Sequence, residues 1–193
     1  QLLFYDHPCV SCNSYFCDIT NFGNISQFVH DMQHVIGFQL AAQALVRESY
    51  LNPMLTWLKN FQGTLNSLES LKTLNHNCSV VVVTTEKVYK NNEWVYGYRK
   101  CDQLGDCDPY SASKASVELA VASWRHSFCG SQSHQTNCLK IATAHSGNVI
   151  GAGDWSKVRI VNNCSRPFQS NQPVTLRNPL SARPWQHVLD SLH

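Results

Sequence analysis

Apolar β-branched runs alternate along this chain with stretches whose apolar residues recur at helical spacing. Residues 35–40 (Val-Ile-Gly-Phe-Gln-Leu) predict a short buried strand, and Cys78–Val83 a stronger one ending in consecutive valines. Leu139–Ala144 predicts a third strand and residues 173–177 a short fourth. The strands are continuously apolar rather than alternating, which predicts a sheet covered on both faces. Between them, residues 25–33, 53–74, Pro109–Phe128 and 159–168 read as helices. The second of these carries Leu55, Leu58, Leu65, Leu68 and Leu71 at helical spacing. Strand–helix–strand alternation predicts an α/β protein with a parallel sheet and right-handed crossovers. The polar stretch 131–137 reads as a loop, and no internal repeat interrupts the pattern.

Length and charge narrow this picture. A chain of 193 residues is long enough for a domain with a real core. The net charge is +2 with the basic residues scattered, so neither nucleic acid nor a membrane surface is an expected partner. No apolar run approaches the ~20 residues of a spanning helix. The first six residues, Gln1 to Asp6, lack the basic start and apolar stretch of a signal peptide, so a cytoplasmic location is expected. The cysteines number nine, an odd count, and are spread along the chain. Cys9-Val-Ser-Cys12, with Cys17 nearby, has no second ligand pair at metal-site spacing. These residues are read as free thiols, and no metal site is expected.

Ligands of parallel α/β sheets sit at the carboxyl ends of the strands. The valine strand runs into Thr84-Thr85-Glu86-Lys87-Val88-Tyr89, which gathers two hydroxyls, a carboxylate and an ammonium. The first strand runs into Ala41-Ala42-Gln43, small enough for a ligand to approach the backbone. The third runs into His145-Ser146-Gly147-Asn148. Tyr110-Ser-Ala-Ser-Lys114 follows Asp108-Pro109, a helix cap and a first-turn proline. At i and i+4, Tyr110 and Lys114 share a helix face. A phenol of pKa about 10 is a poor base at neutral pH, and a nearby ammonium lowers that value. The pair can take a proton from a substrate hydroxyl while hydride leaves the same carbon. Taken alone, Tyr-x-x-x-Lys also describes an ordinary surface pair; the convergence of three polar or small strand ends favours a site. Gly151-Ala152-Gly153 lies too late for a dinucleotide fingerprint and reads as a turn, and no G-x-x-G-x-x-G or G-x-G-x-x-G loop occurs.

These segments resemble the extended short-chain dehydrogenases/reductases, and within them the CDP-glucose 4,6-dehydratases. The resemblance is carried by residues 40–47, Asn60-Phe-Gln-Gly63-Thr64, Thr84 to Tyr89 and Asp108 to Lys114. Glu93-Trp-Val-Tyr-Gly-Tyr-Arg99, Gly147 to Trp155, and Arg183-Pro-Trp-Gln-His-Val188 point to the dehydratases in particular. It implies a partial Rossmann-like, doubly wound parallel sheet with flanking helices. Residues 1–150 would be a partial NAD-binding domain and 151–193 the start of a substrate-binding region. It further implies conversion of CDP-glucose to CDP-4-keto-6-deoxyglucose and water through transient reduction of NAD.

The same resemblance implies residue roles. Tyr110 would take the sugar hydroxyl proton and Lys114 would tune it. Thr85 would sit near the C4 oxygen, and Glu86 would protonate the departing C6 oxygen. Lys87 stands where dTDP-glucose relatives carry a glutamate base, and would act as a base for C5 or as a cation beside the enolate. Asp18 and Ile19 match a pair near adenine; Leu40, Ala41, Ala42 and Gln43 match the strand end passing the cofactor. Asn60 matches a position supporting the site through the backbone. Asn148, Arg159 and Arg183 match positions holding the nucleotide diphosphate, for which arginine's forked donors suit. A homodimer through helices 53–74 and 109–128 is also implied.

The chain departs from the family pattern at Glu86 (usually Asp), Gln39 (His), His145 (Arg), and Val158, Asn162 and Asn163 (Asp, Pro and Asp). It also lacks the Gly-rich first unit, so weak NAD binding is expected of these residues alone. A non-catalytic homologue acting as an interaction module, and a sugar-nucleotide epimerase of the same fold, stay open as alternatives.

Overall fold

The computed structural model describes residues 14–33, 35–129, 139–151, 153–154, 156, 159–176 and 178–192. The Cys9–Cys12 pair, the 131–137 loop, Trp155, Val158 and Arg177 lie outside the described residues. The chain divides into two compact units, one spanning Phe16–His145 and the other containing the residues from Ser146 onward.

The first unit opens with helix α1 (Phe22–Met32), three residues ahead of the predicted start. The reason is a cap that the apolar pattern does not reveal: the Asn21 side chain accepts from the Asn24 N–H at 3.1 Å. Gln33 ends the helix in the left-handed region, at φ 45°. Strand β1 (Ile36–Gln39) follows, then a helix missed from the sequence, α2 (Val46–Leu51). The predicted helix 53–74 forms as α3 (Pro53–Trp57), a π-helical turn (Leu58–Gln62) and α4 (Gly63–Lys72). Strand β2 (Cys78–Val83), a 3₁₀ turn (Glu86–Val88), helix α5 (Pro109–Phe128) and strand β3 (Leu139–Ala144) complete the unit. Asp108 caps α5, its Oδ1 accepting from the Ser111 N–H at 2.9 Å, with Pro109 in the first turn.

The sheet is parallel throughout, in the order β1-β2-β3, with Gly37 opposite Val80 and Val80 opposite Ile141. Its core face carries Cys78, Val80, Val82, Leu139 and Ile141, packed against Ile25 and Val29 of α1, Leu68 and Leu71 of α4, and Val117 and Val121 of α5. The expectation of burial on both faces is corrected by the opposite face. There Ile36 and Phe38 are 62% and 67% exposed, and Ser79, Lys140 and Ala142 are also exposed. Within this unit α1, α4 and α5 all pack on the core face.

In the second unit the predicted strand at 173–177 does not form; its described residues are irregular. A two-stranded parallel sheet is built instead from β4 (Asn148–Ile150) and β5 (Trp185–His187). Gly147 permits a close approach there, since a Cβ would stand 2.4 Å from the Pro184 carbonyl oxygen. Helix α6 (Ile160–Gln169) and the short α7 (Val188–Leu192) are the unit's helices among the described residues.

Candidate active site

Helix α5 packs against the 3₁₀ turn at the end of β2, so Tyr110 and Lys114 share a neighbourhood with Thr85, Glu86 and Lys87. Tyr110 is 8% exposed and Lys114 4%. Lys114 Nζ donates to the Val83 carbonyl at 3.1 Å. Burial pushes its pKa down to about 8, with the Glu118 carboxylate opposing that shift. Beyond Val83, Thr85 Oγ1 donates to Glu86 Oε2 at 2.7 Å, and Glu86 Oε1 pairs with the Lys87 ammonium. A hydroxyl, a carboxylate and an ammonium thus form one short chain at the strand end. Thr85 also caps the turn, its Oγ1 accepting from the Lys87 N–H at 3.4 Å.

Asn60 is fully buried within the π-helical turn. Its Oδ1 accepts from the Gln43 N–H at 2.7 Å, and its Nδ2 donates to the Gln43 carbonyl (3.2 Å) and to Ser113 Oγ (3.0 Å). It therefore ties the end of β1 to α5, three residues after Tyr110. π-turns often occur at functional positions, where the extra residue re-aims side chains. The Gln43 side chain is used locally: Nε2 donates to Thr56 Oγ1 at 3.0 Å and Oε1 accepts from the Leu45 N–H at 2.6 Å.

Asp18, Ile19, Ala41 and Ala42 line one open cleft of about 540 Å³, together with Phe16, Cys17 and Lys59. The Asp18 carboxyl is held below its ordinary range chiefly by the Thr20 backbone and hydroxyl, with Lys59 adding a smaller pull. Two contacts fix this wall. Asn66 Nδ2 donates to the carbonyls of Ile19 (3.1 Å) and Thr20 (3.0 Å). Gly63 leaves room for Ile19, whose Cγ2 would lie 2.7 Å from an added Cβ. Leu40 is exposed. Gln39, at the position where the resemblance expects histidine, is buried and donates to the Ala41 carbonyl at 3.1 Å.

The segment between β2 and α5 is clipped at its base. The Lys90 N–H donates to the Gln103 carbonyl (2.8 Å) and the Gly105 N–H to Val88 (2.7 Å). Within it, the Trp94 and Tyr96 rings stack at 4.6 Å, and Tyr98 stacks on Tyr89 at 5.5 Å. His145 also stacks on Tyr89, at 5.6 Å.

Asn148, Arg159 and Arg183 all belong to the second unit. Asn148 opens β4, and its N–H donates to the Pro184 carbonyl at 2.8 Å, beside Arg183. Arg159 caps α6 and pairs with Asp154 at 3.1 Å, both side chains about half exposed. Asn162, where the resemblance expects proline, is buried and donates to the carbonyls of Asp154 (2.5 Å) and Ser156 (3.1 Å). Lys59, Asn66, Ser113 and Glu118 did not emerge from the sequence as site residues. For Glu118 a signal was present: it stands one further helical step from Lys114, as Lys114 does from Tyr110.

A parallel α/β sheet with a buried Tyr/Lys pair on a helix packed against a polar strand end defines a Rossmann-like α/β protein. The chain belongs to the NAD dependent epimerase/dehydratase family, whose profile matches residues 5–192. It is 41% identical over 179 residues to the CDP-glucose 4,6-dehydratase of Salmonella typhimurium, covering 93% of this chain and 50% of that protein. It is 29% identical to the CDP-paratose 2-epimerase of Salmonella typhi, over 78% of this chain and 50% of that one. In fold it resembles the UDP-glucose 4-epimerase of Thermotoga maritima solved with UDP-glucose (TM-score 0.79, 19% identity, 91% of this chain and 55% of that one). It likewise resembles a double mutant of DesIV, the dTDP-glucose 4,6-dehydratase of Streptomyces venezuelae, solved with NAD (TM-score 0.75, 20% identity, 90% and 50%). The chain spans about half the length of the curated relatives it matches.

Among the described residues, no three His, Cys, Asp or Glu side chains gather as a metal site, and no helix is long and apolar enough to cross a membrane. The described cysteines Cys17, Cys78, Cys101, Cys107, Cys129 and Cys164 are free thiols.

Proposed function

We propose that these residues form part of a sugar-nucleotide 4,6-dehydratase acting on CDP-glucose. The observation that carries this reading is the 41% identity, over 93% of the chain, to a CDP-glucose 4,6-dehydratase. The arrangement around α5 supports it chemically. Tyr110 takes the proton of the sugar C4 hydroxyl, and the Lys114 ammonium beside it favours the phenolate. Thr85 orients the C4 oxygen by a hydrogen bond. Once C4 is a ketone the C5 proton is acidic, and Glu86 protonates the C6 oxygen as it leaves as water. Lys87, already paired with Glu86, serves the C5 step as base or as cation beside the enolate.

NAD, when bound, supplies the hydride acceptor and the later donor. The open cleft lined by Asp18, Ile19, Ala41, Ala42 and Lys59 suits the adenosine half of such a cofactor, because alanines leave the backbone approachable and Asp18 stays ionised. Leu40 and Gln43 continue that wall, and Asn60 supports it from behind. Asn148, Arg159 and Arg183 are the proposed diphosphate contacts, with residues 1–150 as the cofactor region and 151–193 as the start of the substrate region. Pairing with a second copy fits the exposed Leu51, Met54, Leu55, Leu58 and Leu119 on α2, α3, the π turn and α5; sedimentation at monomer mass removes that part. A cytoplasmic location accords with a nucleotide-sugar substrate.

The test is incubation of the chain with NAD and CDP-glucose in D₂O, followed by NMR of the sugar. The expected product is a 4-keto-6-deoxy sugar with solvent deuterium at C5. A C4-epimerised sugar carrying no deuterium would move the chain to the epimerases. No conversion would leave the non-catalytic reading standing.

A further inference from the structure

Lys114 and Glu118 of α5 close on consecutive residues at the carboxyl end of β2. Lys114 Nζ donates to the Val83 carbonyl at 3.1 Å, and Glu118 Oε1 accepts from Thr84 Oγ1. Thr84 is itself fixed, 8% exposed, with its N–H donating to the Ala144 carbonyl of β3 at 2.8 Å. Tyr110, Lys114 and Glu118 follow one another at four-residue steps and so run along one stripe of the helix. The next residues on the strand side are Thr85, Glu86 and Lys87.

We propose that Glu118 is a positioning residue: its carboxylate, anchored by Thr84, keeps the buried Lys114 protonated and so maintains the ammonium that Tyr110 requires. The part concerning Tyr110 rests on the dehydratase reading; the part concerning Lys114 does not. Burial at 4% exposure disfavours a charged amine, and a carboxylate one turn away offsets that cost. Among the charged groups on elements packed against α5, Glu86 pairs with Lys87 and Glu69 with Lys72. Other charged groups on the neighbouring elements are Arg47, Glu48, Lys59 and Lys140, and the carboxylate that opposes the burial of Lys114 is that of Glu118. The same carboxylate also helps to raise the phenol of Tyr89, after burial. A purely mechanical brace would need only the hydrogen bond to Thr84. An electrostatic role needs the charge.

That difference sets the experiment. In the full chain carrying ¹³C-labelled lysine, the Lys114 Cε resonance, assigned with Lys114→Arg, is titrated between about pH 6 and pH 11, a range reaching ~2 units below and ~3 units above a midpoint of about 8. Glu118→Gln keeps an acceptor for Thr84 but removes the charge, and is expected to move the Lys114 midpoint down by about 0.5 unit or more. Glu118→Asp keeps the charge and is expected to stay closer to the parent than the amide does. Thr84→Val frees the carboxylate from its anchor and is expected to shift the midpoint in the same direction as the amide, by less. A Glu118→Gln chain that titrates as the parent does overturns the proposal. Should that variant not fold, Thr84→Val carries the test, and an unchanged midpoint there overturns it equally. The titration uses neither NAD nor sugar nucleotide, so a failed dehydration assay leaves this result standing and sinks only the catalytic reading.

Discussion

In the unit Phe16–His145, the polar side chains of Asn60, Thr84, Ser113 and Lys114 are buried, and Asn60, Thr84 and Lys114 each make a hydrogen bond that joins one element to another. In the residues from Ser146 onward, Asn162 is the buried residue among those described, and its bonds reach only to a loop six and eight positions back. The first unit therefore holds its polar groups by tertiary packing, in surroundings where charge is costly. The second holds them by local bonds in contact with water. A buried lysine of α5 has its pKa moved to about 8, whereas the Arg159–Asp154 pair stays half exposed and screened.

Three variants would break or sharpen this contrast. The largest effect is expected from Tyr110→Phe, which removes one oxygen from the buried unit. If the proposed dehydration of CDP-glucose is assayed, it should fall by about 10²–10⁴-fold, the usual worth of a positioned acid–base group, with the fold intact by circular dichroism. A variant with undiminished turnover would exclude Tyr110 as the base.

Lys114→Met tests the cost of the buried charge. The folded pKa, about 8, lies below the ordinary lysine value of 10.5, so between those values the unfolded chain binds more protons. Stability should therefore rise with pH through that window, by roughly 3 kcal/mol if Lys114 acts alone. Below pH ~8 both states carry the charge and the full burial cost persists. Urea unfolding of parent and variant at several pH values between ~8 and ~10.5 isolates the lysine, because other groups titrate in both. Parallel curves would show that burial does not depress this lysine.

The smallest effect belongs to the second unit. Arg159→Ala breaks a half-exposed ion pair and should cost about 1 kcal/mol or less, with the loss diminishing in salt. A cost well above that, by thermal unfolding, would mean that the second unit also relies on buried electrostatics.

Much of the first unit was legible in the chain. Cys78–Val83, Leu139–Ala144 and Pro109–Phe128 form with the predicted bounds, because a β-branched apolar run and an Asp-Pro start are local signals. Helix 53–74 was legible as one stretch, but its π turn was not. That turn is where Asn60 reaches both Gln43 and Ser113, and partners 17 and 53 positions away leave no local trace. The predicted strand at 173–177 failed for the converse reason. Its Val174, Thr175 and Leu176 have the right propensity, but strand formation also needs a neighbour, and the pairing in this unit goes to Asn148–Ile150 with Trp185–His187.

The sequence by itself determined the α/β class, the parallel core strands, the helix bearing Tyr110 and Lys114, and the polar residues that follow β2. Each depends on periodicity, capping or spacing within a few residues. Only the tertiary structure decided that Lys114 and Glu118 grip adjacent residues of β2, that Asn66 and Gly63 seat Ile19 at the cleft, and that one face of the sheet stands open. Those outcomes depend on which surfaces meet. Burial, and with it the electrostatics of the site, is set by elements far apart along the chain.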